Sequence, residues 1–264
     1  MMPALFLSHG SPTLVIDDAP ARDFLRQLAG DLPRPAAIIV ASAHWDTSLP
    51  TVNAVARNDT IHDFSGFPAQ LYKLSYPASG SPALAERVTD LLAAEGLDCR
   101  IDEARGLDHG AWVPMMLMYP SHDIPVIQLS LQSRLGPGHH FQLGKALAPL
   151  RGENVLIVGS GSLTHNLREL EPARREDPAW VSEFAQWMDA ALIERRTCDL
   201  MSWRTRAPHA QRNHPTDEHL LPLFVALGAG AGEAGAGTGE GAWAKHLHSS
   251  TTFGVLRMDA YAFS

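Results

Sequence analysis

The sequence has little cysteine, no excess of positive charge and no long hydrophobic run. Only two of its 264 residues are cysteines, Cys99 and Cys198, which is too few for a disulfide framework and favours a reducing compartment. Asp and Glu number 29 against 21 for Lys and Arg, and the net charge of −8 excludes the basic surface of a nucleic-acid-binding protein. No stretch reaches the roughly 18 apolar residues of a membrane-spanning helix. We therefore expect a cytoplasmic protein without a nucleic-acid or membrane partner, and the sequence leaves its oligomeric state open.

The order of apolar segments predicts the fold class. Apolar residues make up 45% of the chain, and short continuous runs at 4–7, 36–42, 124–131 and 154–161 predict buried strands. Helical spacing of apolar residues occurs in the segments 19–32, 81–97, 139–150, 177–196 and 216–230. This alternation predicts an α/β fold, with one domain over residues 1–264 and a central, mostly parallel or mixed sheet flanked by helices. A glycine-rich stretch at about 228–242 predicts a flexible loop, and residues 251–263 predict a final edge strand.

Histidine is abundant, with 13 residues, and its placement is informative. His9, His44 and His165 come just after predicted strands, His109 lies in "GLDHGAW", and His219 lies at the predicted start of a helix. Because sites in open α/β sheets form outside the carboxyl ends of the strands, we expect the first three to converge there. A single buried histidine is more often a hydrogen-bonded structural residue than a ligand. Several of them at strand ends favour a metal site.

The residue types narrow the chemistry of such a site. The chain has no C-x-x-C pair and no H-E-x-x-H, so the common zinc patterns are absent. A site of imidazoles, with or without one carboxylate, suits Fe(II) or Zn(II). A serine hydrolase is the rival interpretation, since Ser160 and Ser162 lie near His165. Neither serine has the glycines two residues away on each side that a nucleophile elbow requires.

A series of motifs runs through the chain in this order: "LFLSHGSP", "SAHW", "IHDFSGFP", "YPASGSP", "LDHGAWVPMMLMYP", "IPVIQLSL", "HNL" and "HPTDEHLLPL". Together they resemble the class III extradiol ring-cleaving dioxygenases, and most closely the subgroup related to 4,5-DOPA extradiol dioxygenase. The resemblance implies a non-haem Fe(II) enzyme that inserts both atoms of O2 into a small, DOPA-like catechol and opens its ring. It also implies that Zn(II) can occupy the same site.

The resemblance also implies roles for individual residues. Metal ligands are implied at three positions: His9, His44 and His219. His109 is implied as an acid–base residue that contacts substrate, and His165 as either an acid–base residue or an additional ligand. Other members of the class have a glutamate as the third ligand, and Glu218 is adjacent to His219 in this sequence.

The segment "IHDFSGFP" predicts a substrate-binding loop. Its histidine, its two phenylalanines and its Gly-Pro backbone indicate an aromatic wall formed by His62, Phe64 and Phe67, although a packed surface loop fits the same composition. Two other functions stay open at this point. One is a zinc-dependent hydrolase, and the other is a non-catalytic metal-binding relative on the same scaffold.

Overall fold

A central β-sheet organises the structure, a computed structural model that describes residues 1–174, 176–231 and 244–264. Its strands are β1 (Ala4–Ser8), β2 (Ala37–Asp46), β3 (Thr51–Asn53), β4 (Arg100–Asp102), β5 (Val126–Leu131), β6 (Val155–Gly161), β7 (Ala244–His248) and β10 (Ala260–Phe263). Between the last two, β8 (Thr251–Thr252) and β9 (Leu256–Arg257) form a separate two-stranded sheet. The spatial order of the large sheet is β4-β3-β5-β2-β6-β1-β10-β7.

The large sheet is mixed, with a parallel centre. Strands β5, β2, β6 and β1 are parallel neighbours. Strand β10 is antiparallel to β1, β7 is antiparallel to β10, and β3 is antiparallel to β5. The predicted fold class is confirmed. The prediction of a final edge strand is wrong, because β10 pairs on both sides, with β1 and β7.

Helices cover both faces of the sheet. They are α1 (Pro20–Leu28), α2 (Pro82–Ala94), α3 (His109–Met118), α4 (Gly136–Leu147), α5 (Ala179–Ile193), α6 (Thr197–Met201), α7 (Trp203–Arg206), α8 (Ala210–Asn213) and α9 (Leu221–Ala231). Helix α2 shows a clear local signal, since the Ser81 hydroxyl accepts a hydrogen bond from the N–H of Leu84 and Pro82 opens the first turn. None of the helices in the described ranges is long and apolar enough to cross a membrane.

The core has two layers, one on each face of the sheet. Along β1, Leu5 and Leu7 face a cluster that includes α1 and α3, whereas Ala4 and Phe6 face the cluster that includes α2, α4, α5 and α9. Strands that are covered on both faces have apolar side chains at nearly every position. This explains why the sequence shows continuous apolar runs rather than alternation.

Glycine lets α9 pack directly against β6. A Cβ atom on Gly159 would lie 2.0 Å from the backbone oxygen of Pro222, and one on Gly161 would lie 2.1 Å from that of His219. The backbone N–H of Ser162 donates to the same His219 oxygen at 2.8 Å. The turn that carries His219 is therefore held against the end of β6.

The glycine-rich prediction is partly wrong. Residues 228–231 are the buried last turn of α9 rather than a loop, because glycine at these positions permits close helix packing. A Cβ atom on Gly228 would lie 2.1 Å from the backbone oxygen of Phe141 in α4. The remainder of the predicted loop, 232–242, lies outside the described residues. Helix α9 also begins later than predicted, at Leu221, so His219 precedes the helix.

Candidate active site and metal centre

Five histidines from distant parts of the chain meet at the carboxyl ends of the central strands. His9 directly follows β1, and His165 comes shortly after β6. His44 lies inside β2, near its carboxyl end, rather than after the strand as predicted. His109 is the first residue of α3, and His219 lies in the turn before α9.

The rings of the three predicted ligands lie close to one another. The ring centroids of His9 and His44 are 4.9 Å apart, those of His9 and His219 are 5.7 Å apart, and those of His44 and His219 are 4.9 Å apart. Imidazoles that each place one nitrogen about 2.1 Å from a shared ion have ring centroids roughly 5 Å apart. The spacing of the three ring centroids therefore matches the spacing expected around a shared ion.

Hydrogen bonds determine which nitrogen of His9 carries its proton. The Ser160 hydroxyl donates to the backbone oxygen of Gly110 and lies 3.0 Å from Nδ1 of His9. Because the Ser160 hydroxyl donates its only proton to Gly110, it must accept a hydrogen bond from Nδ1–H of His9. The lone pair of His9 is then on Nε2, which lies 2.9 Å from Nε2 of His44. Two imidazole nitrogens in this position repel each other unless a proton or a cation lies between them.

His219 has one buried nitrogen without a hydrogen-bond partner among the described residues. The Glu218 carboxylate lies 3.0 Å from Nδ1 of His219 and can only accept, so this nitrogen carries the proton. The opposite nitrogen, Nε2, is buried and has no hydrogen-bond partner among the described residues. Leaving such a group unpaired costs about 1–3 kcal/mol, and a metal ion would remove that cost.

Burial keeps four of the site histidines, His9, His44, His165 and His219, neutral. Desolvation lowers the pKa of His9 and of His219 well below the ordinary value, and the neighbouring imidazoles add to the effect. Desolvation likewise lowers the pKa of His44 to about 3 and that of His165 to about 4. Neutral imidazole is the form that binds a cation. The donor set therefore fits a divalent transition metal.

His109 lies beside two of the predicted ligands and is held by a carboxylate. Its ring centroid is 3.9 Å from that of His44 and 5.3 Å from that of His9. Asp63 accepts a hydrogen bond from His109 Nδ1–H at 2.8 Å and a second from its backbone N–H at 2.9 Å. Burial raises the pKa of Asp63, but the hydrogen bonds from His109 outweigh burial and lower it to about 2.

His165 lies against the third predicted ligand. Its ring stacks on that of His219, with centroids 3.4 Å apart and an angle of 10° between the planes. Ligand atoms of His165, Glu218 and His219 all lie within 4.8 Å of one another, as do those of His9, His44 and His109. Both predicted acid–base histidines thus contact a predicted ligand.

The predicted aromatic wall lies next to His109. The ring centroid of Phe64 is 5.8 Å from that of His109, 5.3 Å from that of Phe67 and 5.7 Å from that of His62. His62 is fixed by a 3.1 Å hydrogen bond between Nε2 and the backbone oxygen of Leu74. The fold therefore brings all three predicted wall residues to one side of the histidine cluster.

Comparison with known proteins identifies the family. The chain matches the family described as the catalytic LigB subunit of aromatic ring-opening dioxygenase over residues 3–258. The chain belongs to the aromatic ring-opening dioxygenases. This membership and the histidine cluster together indicate a metal cofactor.

Named relatives and a solved structure agree with this assignment. The dioxygenase is 46% identical over 263 residues to the 4,5-DOPA dioxygenase extradiol of Beta vulgaris, covering 98% of this chain and 95% of the relative. It is 43% identical over 232 residues to the protein of that name in Escherichia coli K12, covering 86% and 85% of the two chains. A crystal structure of an uncharacterized protein from Escherichia coli K12 matches with a TM-score of 0.81 and 34% identity over 100% of both chains.

These matches confirm the predicted class of enzyme, an extradiol dioxygenase. They support neither of the alternatives, the zinc-dependent hydrolase and the non-catalytic relative. Ser160, considered as a hydrolytic nucleophile, is instead fully buried and bonded to His9.

Sequence reasoning missed two carboxylates and one ring in the dioxygenase site. Asp63 lies within the motif "IHDFSGFP", and its place between two predicted site residues is the available signal. Asp108 directly precedes His109, and its buried carboxylate bonds the Ser42 hydroxyl at 2.7 Å as well as Gln128 and Arg105. Tyr72, whose ring centroid is 5.3 Å from that of Phe64, extends the aromatic wall and gave no sequence signal.

Proposed function

We propose that this chain is an Fe(II)-dependent extradiol dioxygenase that uses O2 to open the ring of a small, DOPA-like catechol. The observation that carries the proposal is the cluster of five histidines at the carboxyl ends of the parallel strands, with an aromatic wall beside it. The relatives named 4,5-DOPA dioxygenase extradiol support the choice of substrate. We further propose that residues 1–264 act as one catalytic domain in the cytoplasm.

His9, His44 and His219 would hold the metal. In our assignment each offers Nε2. Ser160 and Glu218 keep the protons of His9 and His219 on Nδ1, and Nε2 of His44 lies 2.9 Å from Nε2 of His9. Bound Fe(II) would hold the catechol and O2 next to each other and let electrons pass between them. Three neutral ligands leave the charge of the ion to be balanced by an anionic substrate.

Proton transfer is assigned to His109 and His165. A catechol must lose protons to bind as an anion, and a base within hydrogen-bond reach is required for this. The Nδ1 proton of His109 is held by Asp63, so its Nε2 is free to accept a substrate proton. We assign His165, whose ring stacks on that of His219, as a second acid–base group or as an additional ligand.

The wall formed by His62, Phe64 and Phe67 would hold the substrate ring. Aromatic pairs prefer edge-to-face or offset contacts with centroids about 4.5–7 Å apart, and the rings of this loop already pack in that range. Phe64 is the residue of the three that we expect to touch substrate, because its ring is the one next to His109.

Iron rather than zinc is proposed for activity. The same imidazoles suit both ions, but Zn(II) has no redox chemistry and cannot pass electrons to O2. The test is to load the metal-free protein anaerobically with Fe(II) or Zn(II), add DOPA and admit air. We expect a yellow ring-opened product and matching O2 uptake with Fe(II) only. Equal product with zinc alone, or product without O2 uptake, would contradict the proposal.

A further inference from the structure

Asp63 makes two contacts with His109, one with its backbone and one with its ring. Its Oδ1 accepts from the backbone N–H of His109 at 2.9 Å, and its Oδ2 accepts from the ring Nδ1–H at 2.8 Å. The same Oδ2 lies 3.6 Å from Nδ1 of His44. One carboxylate therefore faces the outer nitrogens of two adjacent site rings, whose centroids are 3.9 Å apart.

The two oxygens of Asp63 have different consequences. The contact of Oδ1 with the backbone anchors the start of α3, where the preceding residue, Asp108, makes no side-chain capping bond. The contact of Oδ2 with the ring determines the tautomer, because a carboxylate accepts and does not donate. Nδ1 of His109 must therefore carry the proton, and the lone pair is on Nε2.

We propose that Asp63 is the positioning residue of the acid–base site, which holds His109 in the Nδ1–H tautomer and fixes the rotation of its ring. Asp63 is also adjacent in sequence to Phe64, so the same loop places the aromatic wall and orients the base. The kinetic part of this inference rests on the proposed function, whereas the tautomer of His109 does not.

The substitution Asp63→Asn separates the two contacts. Asparagine has nearly the same shape, and its Oδ1 can still accept from the backbone N–H of His109. Its NH2 group then faces Nδ1 as a donor, which requires that Nδ1 lose its proton. We expect His109 to switch to the Nε2–H tautomer while α3 stays anchored.

The primary readout is 15N NMR of the histidine side chains in the Zn(II)-loaded protein, which distinguishes the two tautomers without catalysis. We expect Nδ1–H for His109 in the wild type and Nε2–H in Asp63→Asn. In the Fe(II)-loaded enzyme, kcat for DOPA should fall by roughly 10²–10⁴-fold, the usual contribution of a correctly positioned acid–base group, with KM unchanged. Asp59→Asn, at an exposed position earlier in the same loop, is the matched control and should change neither measurement.

The outcomes are distinct. An Nε2–H tautomer of His109 in the wild type overturns the inference even if no variant folds. An Asp63→Asn protein with the wild-type tautomer and kcat also overturns it. A general loss, in which Tm, KM and zinc affinity all change with kcat, would assign Asp63 a structural role only. If the wild type opens no catechol, the proposed function fails while the NMR result still decides the role of Asp63.

Discussion

Substitution of Ser160 by alanine tests how the site orients a metal ligand. The Ser160 hydroxyl is fully buried and bridges three elements, because it lies on β6, accepts from His9 after β1 and donates to Gly110 in α3. Alanine removes both hydrogen bonds without adding volume. The Nδ1–H of His9 then loses its acceptor, and the ring loses the contact that keeps the Nε2 lone pair directed at the metal.

The size of the effect follows from the bonds that are lost. A buried donor left without a partner costs about 1–3 kcal/mol. Loss of an outer partner of a metal-binding histidine lowers metal affinity about 10–100-fold, which corresponds to about 1.4–2.8 kcal/mol. The two estimates agree, so we expect the dissociation constant for Zn(II) of Ser160→Ala to rise about 10–100-fold in competition with a chromophoric chelator.

Ser162→Ala is the matched control for this experiment. Ser162 is also buried and lies just beyond the end of β6, but its hydroxyl donates to the backbone oxygen of Thr164 at 2.7 Å. We expect its zinc affinity to match that of the wild type. Unchanged affinity in Ser160→Ala, or an equal loss in Ser162→Ala, would refute the reasoning.

Three other predictions concern packing, pH and substrate. Gly161→Ala should weaken zinc binding, because its Cβ would lie 2.1 Å from the backbone oxygen of His219. Gly152→Ala is the control, because the new Cβ has open space around it and should leave zinc affinity unchanged. Equal zinc affinities of the two variants would contradict this prediction. Burial lowers the pKa of His214 to about 3, below its value in the unfolded chain, so the folded state binds fewer protons than the unfolded state at acid pH. The contribution of this residue to stability is therefore fully present above pH 6.5. Below pH 6.5, protonation of His214 in the unfolded state should lower the free energy of unfolding of the metal-free protein by up to about 1.4 kcal/mol per pH unit. In urea unfolding at several pH values, the free energy of unfolding of His214→Gln should therefore change less steeply with pH than that of the wild type. Equal dependence on pH in the two proteins would refute the assignment. Phe64→Ala should raise KM for DOPA without changing zinc affinity, and an unchanged KM would remove Phe64 from the substrate wall.

The strands could be predicted because their signal is local. Strands β1 and β6 are buried on both faces, so each is a continuous apolar run bounded by polar or small residues. The start of α9 could not be predicted in the same way. Thr216 and its acidic neighbours resemble a helix cap, but the chain turns through His219 first, because the glycines of β6 admit its backbone there. That contact joins residues far apart in sequence.

The candidate site likewise has features that the sequence predicts and features that it does not. Convergence of His9 and His165 follows from parallel strands that end at one edge of a sheet, which an alternating sequence already predicts. The partners that set their geometry depend on contacts across the chain. Ser160 is 151 residues from His9, and Asp63 is 46 residues from His109. No spacing rule relates such pairs, although Asp63 lies in the motif "IHDFSGFP" and Ser160 lies in a predicted strand.

The central claim is that imidazoles from three separate segments bind one metal ion, and anomalous diffraction from crystals loaded with Fe(II) under nitrogen tests it most directly. We predict a single iron peak about 2.1 Å from Nε2 of His9, His44 and His219. A peak bound by His165 and Glu218 without His9 and His44, or no iron at the cluster, would contradict the account.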